Sequence, residues 1–126
     1  MVSKLLGAPI LVVEDDPAST KLLSVLLTEA GAEVAIALDA EKALLMLHGF
    51  RPRLILLDLV LPRVGGLVLL EKLMADPFTR NIPVIAVTAV NGPEVERKVM
   101  KAGCAGYLRK PIDVQTFTES ISQFLE

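Results

Sequence analysis

Ile10-Leu11-Val12-Val13-Glu14-Asp15-Asp16-Pro17 is the stretch from which the rest of the chain is read. Four apolar residues, mostly β-branched, make a run of strand length, three acids follow, and a proline opens a helical pattern. Asp16 is a candidate N-cap, and Pro17 stands at the first helical position, where its missing N–H is harmless. A buried strand thus hands over to a helix through an acidic turn. Similar runs end in chemistry elsewhere: Leu54-Ile55-Leu56-Leu57 at Asp58, Val84-Ile85-Ala86-Val87 at Thr88, and Gly106-Tyr107-Leu108-Arg109 at Lys110. In an open parallel sheet, ligands bind outside the carboxyl ends of the strands, so Asp15, Asp58, Thr88 and Lys110 are expected in one crevice.

Outward from these runs, strand-length apolar segments alternate with helical patterns from end to end, which implies βαβ units and a parallel sheet. Strands are expected near residues 9–14, 33–38, 53–58, 83–88 and 106–109. The first helix places Leu22, Leu23, Leu26, Leu27 and Ala30 on one face and stops at Gly31. Asp39 caps a second helix with Ala40, Ala43, Leu44 and Leu47 inward, ending before Pro52. A third follows Gly65-Gly66 with Leu67, Leu70, Leu73 and Met74 inward, and Asp76-Pro77 closes it. The fourth starts around Asn91-Gly92-Pro93-Glu94 and stops at Gly103, with Val95, Val99 and Ala102 as its stripe. Asp113 is expected to cap the last, whose Val114, Phe117, Ile121 and Phe124 or Leu125 face the sheet. Val25 and Val68 fall away from these apolar faces. Scattered exposed apolar residues are ordinary, and a partner-docking surface is the sharper reading.

At 126 residues the chain fits one domain, residues 1–126. A hydrophobic fraction of 52% with only 4% aromatics indicates an aliphatic core, as expected for strands covered by helices on both faces. The formal charge of −2 provides no basic footprint for nucleic acid. No apolar run is long enough to span a bilayer, and Glu14, Asp15 and Asp16 interrupt the place of a signal peptide, so a cytoplasmic location without membrane insertion is expected. Cys104, the single cysteine, can form no intramolecular disulfide and reads as a packing residue before the last strand. His48, the single histidine, has no second histidine with which to build a metal site.

Carboxylates gathered at one sheet edge repel unless a cation joins them. An oxygen-only donor set suits Mg²⁺, which takes one or two protein carboxylates, keeps several waters and completes its shell with phosphate oxygens. With a lysine nearby, this pattern points to phosphoryl chemistry, in which a protein mostly positions groups and neutralises charge. Asp58 is the nucleophile candidate, because a carboxylate can form an acyl phosphate. Asp15 would hold the metal with Glu14 acting directly or through water, while Thr88 donates a hydroxyl and Lys110 a positive charge to phosphoryl oxygens. Any one of these residues alone is more simply a turn, cap or counterion. Acid, acid, hydroxyl and lysine at separate strand ends are not so easily dismissed.

At these residues the chain resembles the receiver domain of bacterial two-component response regulators, of the single-domain, chemotaxis-regulator-like kind. The matching segments are Leu11-Val12-Val13-Glu14-Asp15-Asp16-Pro17, Leu56-Leu57-Asp58-Leu59-Val60-Leu61-Pro62 with Gly66, Val87-Thr88-Ala89, and Gly106-Tyr107-Leu108-Arg109-Lys110-Pro111. The resemblance covers residues 9 to 125 and implies an α/β fold: a flavodoxin-like, doubly wound (βα)5 with a five-stranded parallel sheet in the order 2-1-3-4-5. It implies that Asp58 accepts a phosphoryl group from a sensor histidine kinase or histidine phosphotransfer protein. Mg²⁺ would lie on Asp15, Asp58 and the backbone carbonyl of Val60, with Glu14 outside. Thr88 and Lys110 would hold the phosphoryl group, the Lys110–Pro111 bond would be cis, and Tyr107 would be the aromatic partner of Thr88 in a switch. The fourth helix, fifth strand and fifth helix would report to an unknown downstream protein target. The chain would act as a monomer or weak dimer and catalyse only its own phosphorylation and slow dephosphorylation.

Val60 and Val90 depart from the better-known polar examples, since neither can orient a hydrolytic water; a long-lived phosphoryl group is expected. Three other readings compete. A phosphorylation-independent interaction module would not need the filled acidic site. A flavodoxin-like carrier would need a phosphate-cradling loop where Glu14-Asp15-Asp16 would repel phosphate. An aspartate-nucleophile phosphatase would need a second acid at position 60, where Val60 stands.

Overall fold

A computed structural model describes residues 4–125. Its strands are β1 (Pro9–Val13), β2 (Glu33–Ala37), β3 (Leu54–Leu57), β4 (Val84–Thr88) and β5 (Gly106–Arg109). They alternate with α1 (Pro17–Glu29), α2 (Ala40–Met46), α3 (Gly66–Ala75), α4 (Pro93–Lys101) and α5 (Phe117–Ser122). All pairings are parallel, in the order β2-β1-β3-β4-β5, as expected.

The period of two in the strands sorts the core into two layers. Leu11, Val13, Ile55, Leu57, Val84 and Ala86 pack with residues of α2, α3 and α4. Ile10, Val12, Leu54, Leu56, Ile85 and Val87 face the other way, onto Leu23 and Leu27 of α1 and Phe117 and Ile121 of α5. Each of these strand residues is at most 1% exposed, which is why β1, β3 and β4 read as unbroken apolar runs. Cys104 is buried as expected, its Sγ 3.0 Å from the carbonyl oxygens of Val84 and Gly106, and burial pushes its thiol up. His48 is exposed.

The helix starts follow their caps. Asp16 accepts from Ser19 N–H at 2.9 Å, and Asp39 from Lys42 N–H at 2.8 Å. Gly31, at φ 90°, ends the first helical segment in the left-handed region that glycine enters freely. Two expectations need correction. In α3 Leu67, Leu70, Leu73 and Met74 pack against the core as expected, Leu67 and Met74 partly buried, but fully buried Leu69 belongs with them and was not foreseen. The last helix begins at Phe117, because Asp113 closes a turn instead, its carboxylate accepting from Gln115 N–H at 3.0 Å and its carbonyl from Thr116 and Phe117. Val114 therefore lies on that turn, 54% exposed, and not against the sheet. Val25 and Val68 are each 45% exposed.

Candidate functional site

The strand registers bring the predicted residues to one level. Val13 lies opposite Leu57 and Thr88 opposite Arg109, so Glu14, Asp58, Thr88 and Lys110 emerge together at the carboxyl edge. Glu14 is 1% exposed, Asp58 7% and Thr88 fully buried. Asp15, one residue further along, is exposed.

Lys110 ties the two buried acids together. Its Nζ donates to Asp58 Oδ2 at 2.9 Å and to Glu14 Oε1. The other Asp58 oxygen, Oδ1, accepts the Val60 N–H at 3.0 Å, and Glu14 Oε2 accepts from Asp16 N–H at 3.1 Å. Burial pushes Asp58 up, but the Val60 N–H, the Lys110 ammonium, the Thr88 hydroxyl and Glu14 together bring it below its ordinary value. Glu14 is raised, chiefly by burial and further by Asp58, against the partial relief of Lys110 and the Asp16 N–H. Burial lowers Lys110, yet the two carboxylates outweigh it and leave the ammonium more firmly protonated.

Thr88 and Tyr107 meet through one backbone unit. Thr88 Oγ1 accepts the Val90 N–H at 3.3 Å, and the hydroxyl of half-buried Tyr107 donates to the Val90 carbonyl. Lys110 N–H in turn donates to the Thr88 carbonyl at 3.0 Å, and the Lys110–Pro111 peptide bond is cis.

Asp15, Asp58 and the Val60 carbonyl present oxygen donors only. Among the described residues, no three acidic, histidine or cysteine side chains are gathered to hold a metal. The chemistry fits a hard cation with few protein ligands and several waters, such as Mg²⁺, and not an all-carboxylate cage.

Arg63 and Glu41 escaped the sequence reading, as did their link to Asp39, which it placed only as a helix cap. Arg63 donates from Nη2 to Asp39 Oδ2 at 2.7 Å and from Nε to Glu41 Oε1 at 3.1 Å, joining the β3–α3 loop to the start of α2. Their separation of more than twenty positions leaves no periodic signal.

A doubly wound sheet with buried acids bridged by a lysine at its carboxyl edge, and acids in place of a glycine-rich phosphate loop after β1, defines a receiver-type signalling module. The response regulator receiver domain family matches residues 10–122, and the chain belongs to that family. It is 38% identical over 116 residues to the polar-differentiation response regulator DivK of Brucella anthropi, covering 92% of this chain and 94% of that one. To the response regulator PleD of Caulobacter vibrioides it is 40% identical over 108 residues, which are 86% of this chain and 24% of that longer protein. Among solved structures, chemotaxis response regulator CheY4 of Vibrio cholerae superposes with a TM-score of 0.88 at 25% identity, covering 94% of this chain and 99% of that one. The receiver domain of sensor histidine kinase PA1611 from Pseudomonas aeruginosa, with a magnesium ion in its active site cleft, gives 0.85 at 27% identity, covering 94% and 97%. Receiver domains of this family are signalling modules of two-component pathways, working with histidine kinases and downstream targets. No helix of the described residues is long and apolar enough to cross a membrane.

Proposed function

We propose that Asp58 is the phosphoryl acceptor of this chain, acting as one receiver domain over residues 1–126. The observation that carries the proposal is the contact of Lys110 Nζ with Asp58 Oδ2, at 2.9 Å, beside Glu14 and Thr88. An Asp58 carboxylate oxygen attacks the phosphorus of a phosphohistidine on a kinase or phosphotransfer protein. The P–N bond breaks as the P–O bond forms, and the imidazole leaves. The Val60 N–H and Lys110 orient the attacking carboxylate and favour its charged form. Thr88 and Lys110 then supply a hydroxyl and a positive charge to the new phosphoryl oxygens.

Mg²⁺ would be held by Asp15, Asp58 and the Val60 carbonyl, with Glu14 behind them, and would neutralise charge developing on the phosphoryl oxygens. Phosphorylation adds charge and acceptor oxygens beside Thr88. A shift of Thr88 toward them alters its bond to Val90 N–H, and the Val90 carbonyl passes the change to Tyr107. The face of α4, β5 and α5 is the surface that reports it to a target protein in the cytoplasm.

Incubation with acetyl phosphate and Mg²⁺, followed by intact-mass measurement, tests the acceptor. One phosphate is expected on the wild type, and none on Asp58→Asn or in the absence of Mg²⁺. Equal addition to the Asp58→Asn protein would remove Asp58 from its role.

A further inference from the structure

The loop from Asp58 to Gly65 is fastened at both ends. At the inner end the Val60 N–H holds Asp58 Oδ1 at 3.0 Å, and Gly66 N–H returns to the Leu59 carbonyl at 3.0 Å. At the outer end stands Arg63, the one non-glycine residue among those described with positive φ, at 62°. Residues with a Cβ adopt that region at a steric penalty, so something must hold Arg63 there.

The holding contacts come from the start of α2. The guanidinium spans Asp39 Oδ2 at 2.7 Å and Glu41 Oε1 at 3.1 Å. Asp39 is a fixed anchor: it is 7% exposed, and its Oδ1 is committed to the Lys42 N–H as the cap of α2. The Lys42 N–H, and then Arg63 against the effect of burial, hold its carboxyl below the usual range. A planar fork of donors can grip two carboxylates at once, which an ammonium cannot do with the same geometry. Because Arg63 is itself mostly exposed, the ion pairs add little to global stability, and their effect falls on the loop they restrain.

We propose that Arg63, by gripping Asp39 and Glu41, is a positioning residue that holds the β3–α3 loop so that Val60 presents its N–H to Asp58 and its carbonyl to the metal. The inference rests on the assignment of Asp58 as acceptor given above. Arg63 touches neither donor nor phosphoryl group; it acts through the backbone of residues 59–62.

Arg63→Gly separates this role from a purely steric one. Glycine adopts positive φ freely, so the variant keeps the turn and removes the grip, but it also frees the backbone; Asp39→Asn, which leaves Arg63 in place, separates the two effects and should likewise speed exchange of the Val60 amide. Asp39→Asn keeps the cap, since asparagine caps as well as aspartate, and weakens the ion pair. Two readouts on the full chain are needed: solvent exchange of the Val60 amide by NMR with no donor present, and the initial rate of phosphate addition from acetyl phosphate across a Mg²⁺ series. In Arg63→Gly the Val60 amide is expected to exchange about fivefold faster, and phosphorylation to slow about fivefold with a higher Mg²⁺ requirement. Arg63→Lys should fall between. Adding Glu41→Gln to Arg63→Gly should change neither readout further, because the pair is already broken. Unchanged Val60 exchange in Arg63→Gly overturns the inference, and so does faster exchange with an unchanged phosphorylation rate. A wild type that takes no phosphate, yet whose Val60 exchange responds to Arg63→Gly, refutes the acceptor assignment and supports the grip on the loop.

Discussion

Gly66 carries the most demanding packing constraint near the acceptor. It opens α3, and a Cβ built on it lies 2.4 Å from the carbonyl oxygen of Asp58 and 2.6 Å from the Cα of Leu59. Both are backbone atoms, so no side chain can swing aside. Real Cβ contacts lie beyond 3.0 Å, and Gly66→Ala must therefore part the β3–α3 loop from the helix start. Overpacking of this kind costs about 1–3 kcal/mol. In a domain of this size each kcal/mol is about 4 °C of Tm, so a fall of roughly 4–12 °C is expected by circular dichroism. The Asp58 carbonyl is itself one of the crowded atoms, so the 3.0 Å and 2.9 Å bonds at its carboxylate shift with it. Misplacement near 1 Å can cost up to about 10²-fold, and phosphate addition from acetyl phosphate should drop at least about tenfold. A Gly66→Ala protein that melts with the wild type and labels at the wild-type rate would refute the reasoning. Lowered Tm with normal labelling would show that α3 gives way and the loop does not.

Acid should release the anchor of α2. The Asp39 pKa lies below its ordinary 3.8, so its contribution is present above that value and is lost as pH falls through the folded-state pKa. Urea midpoints of wild type and Asp39→Ala, which removes the cap on Lys42 N–H, should differ most at about pH 6 and draw together toward about pH 2.5, and a constant difference would contradict the assignment. The lifetime of the phosphoryl group is the other quantity at issue. Val60, 59% exposed, and half-buried Val90 carry no group to orient an attacking water. Val60→Asn combined with Val90→Glu should shorten the lifetime about tenfold, equivalent to about 1.4 kcal/mol in the hydrolysis barrier. Loss of phosphate mass at equal rates in wild type and double variant would show that water positioning is not limiting.

The alternating strands and the acidic edge were legible because burial on both faces leaves an unmistakable pattern, aliphatic runs that stop where polar chemistry begins; the strand order came only with the family resemblance. The ends were less legible. Glu14 and Asp58 each fall one residue past their strands, because hydropathy marks where a side chain is buried and not where backbone pairing ceases. Asp113 has the chemistry of a cap and spends it on a turn, which delays α5 to Phe117. The link between Arg63 and Asp39 was beyond reach for a different reason. It joins two loops that only the folded sheet brings together, and the positive φ at Arg63 has no glycine to announce it. The Val90 backbone that joins Thr88 to Tyr107 is similarly silent in the sequence, since a peptide unit looks the same at every position.

The site is built on the fold without holding it together. Buried ion pairs roughly break even against their desolvation, so Lys110 between Glu14 and Asp58 offsets repulsion more than it adds stability. Stability comes instead from strand residues such as Leu11, Val13, Ile55 and Leu57, all fully buried one or a few positions below the acids. Burial of each such side chain contributes about 1.5–3 kcal/mol. This division lets the carboxyl edge keep two like charges in contact, one raised and one lowered in pKa, without unfolding the sheet beneath them. It is also why Asp58→Asn is a sound control: Lys110 retains Glu14, the apolar layers are untouched, and a loss of phosphate acceptance in that variant reports on the missing carboxylate and not on the fold.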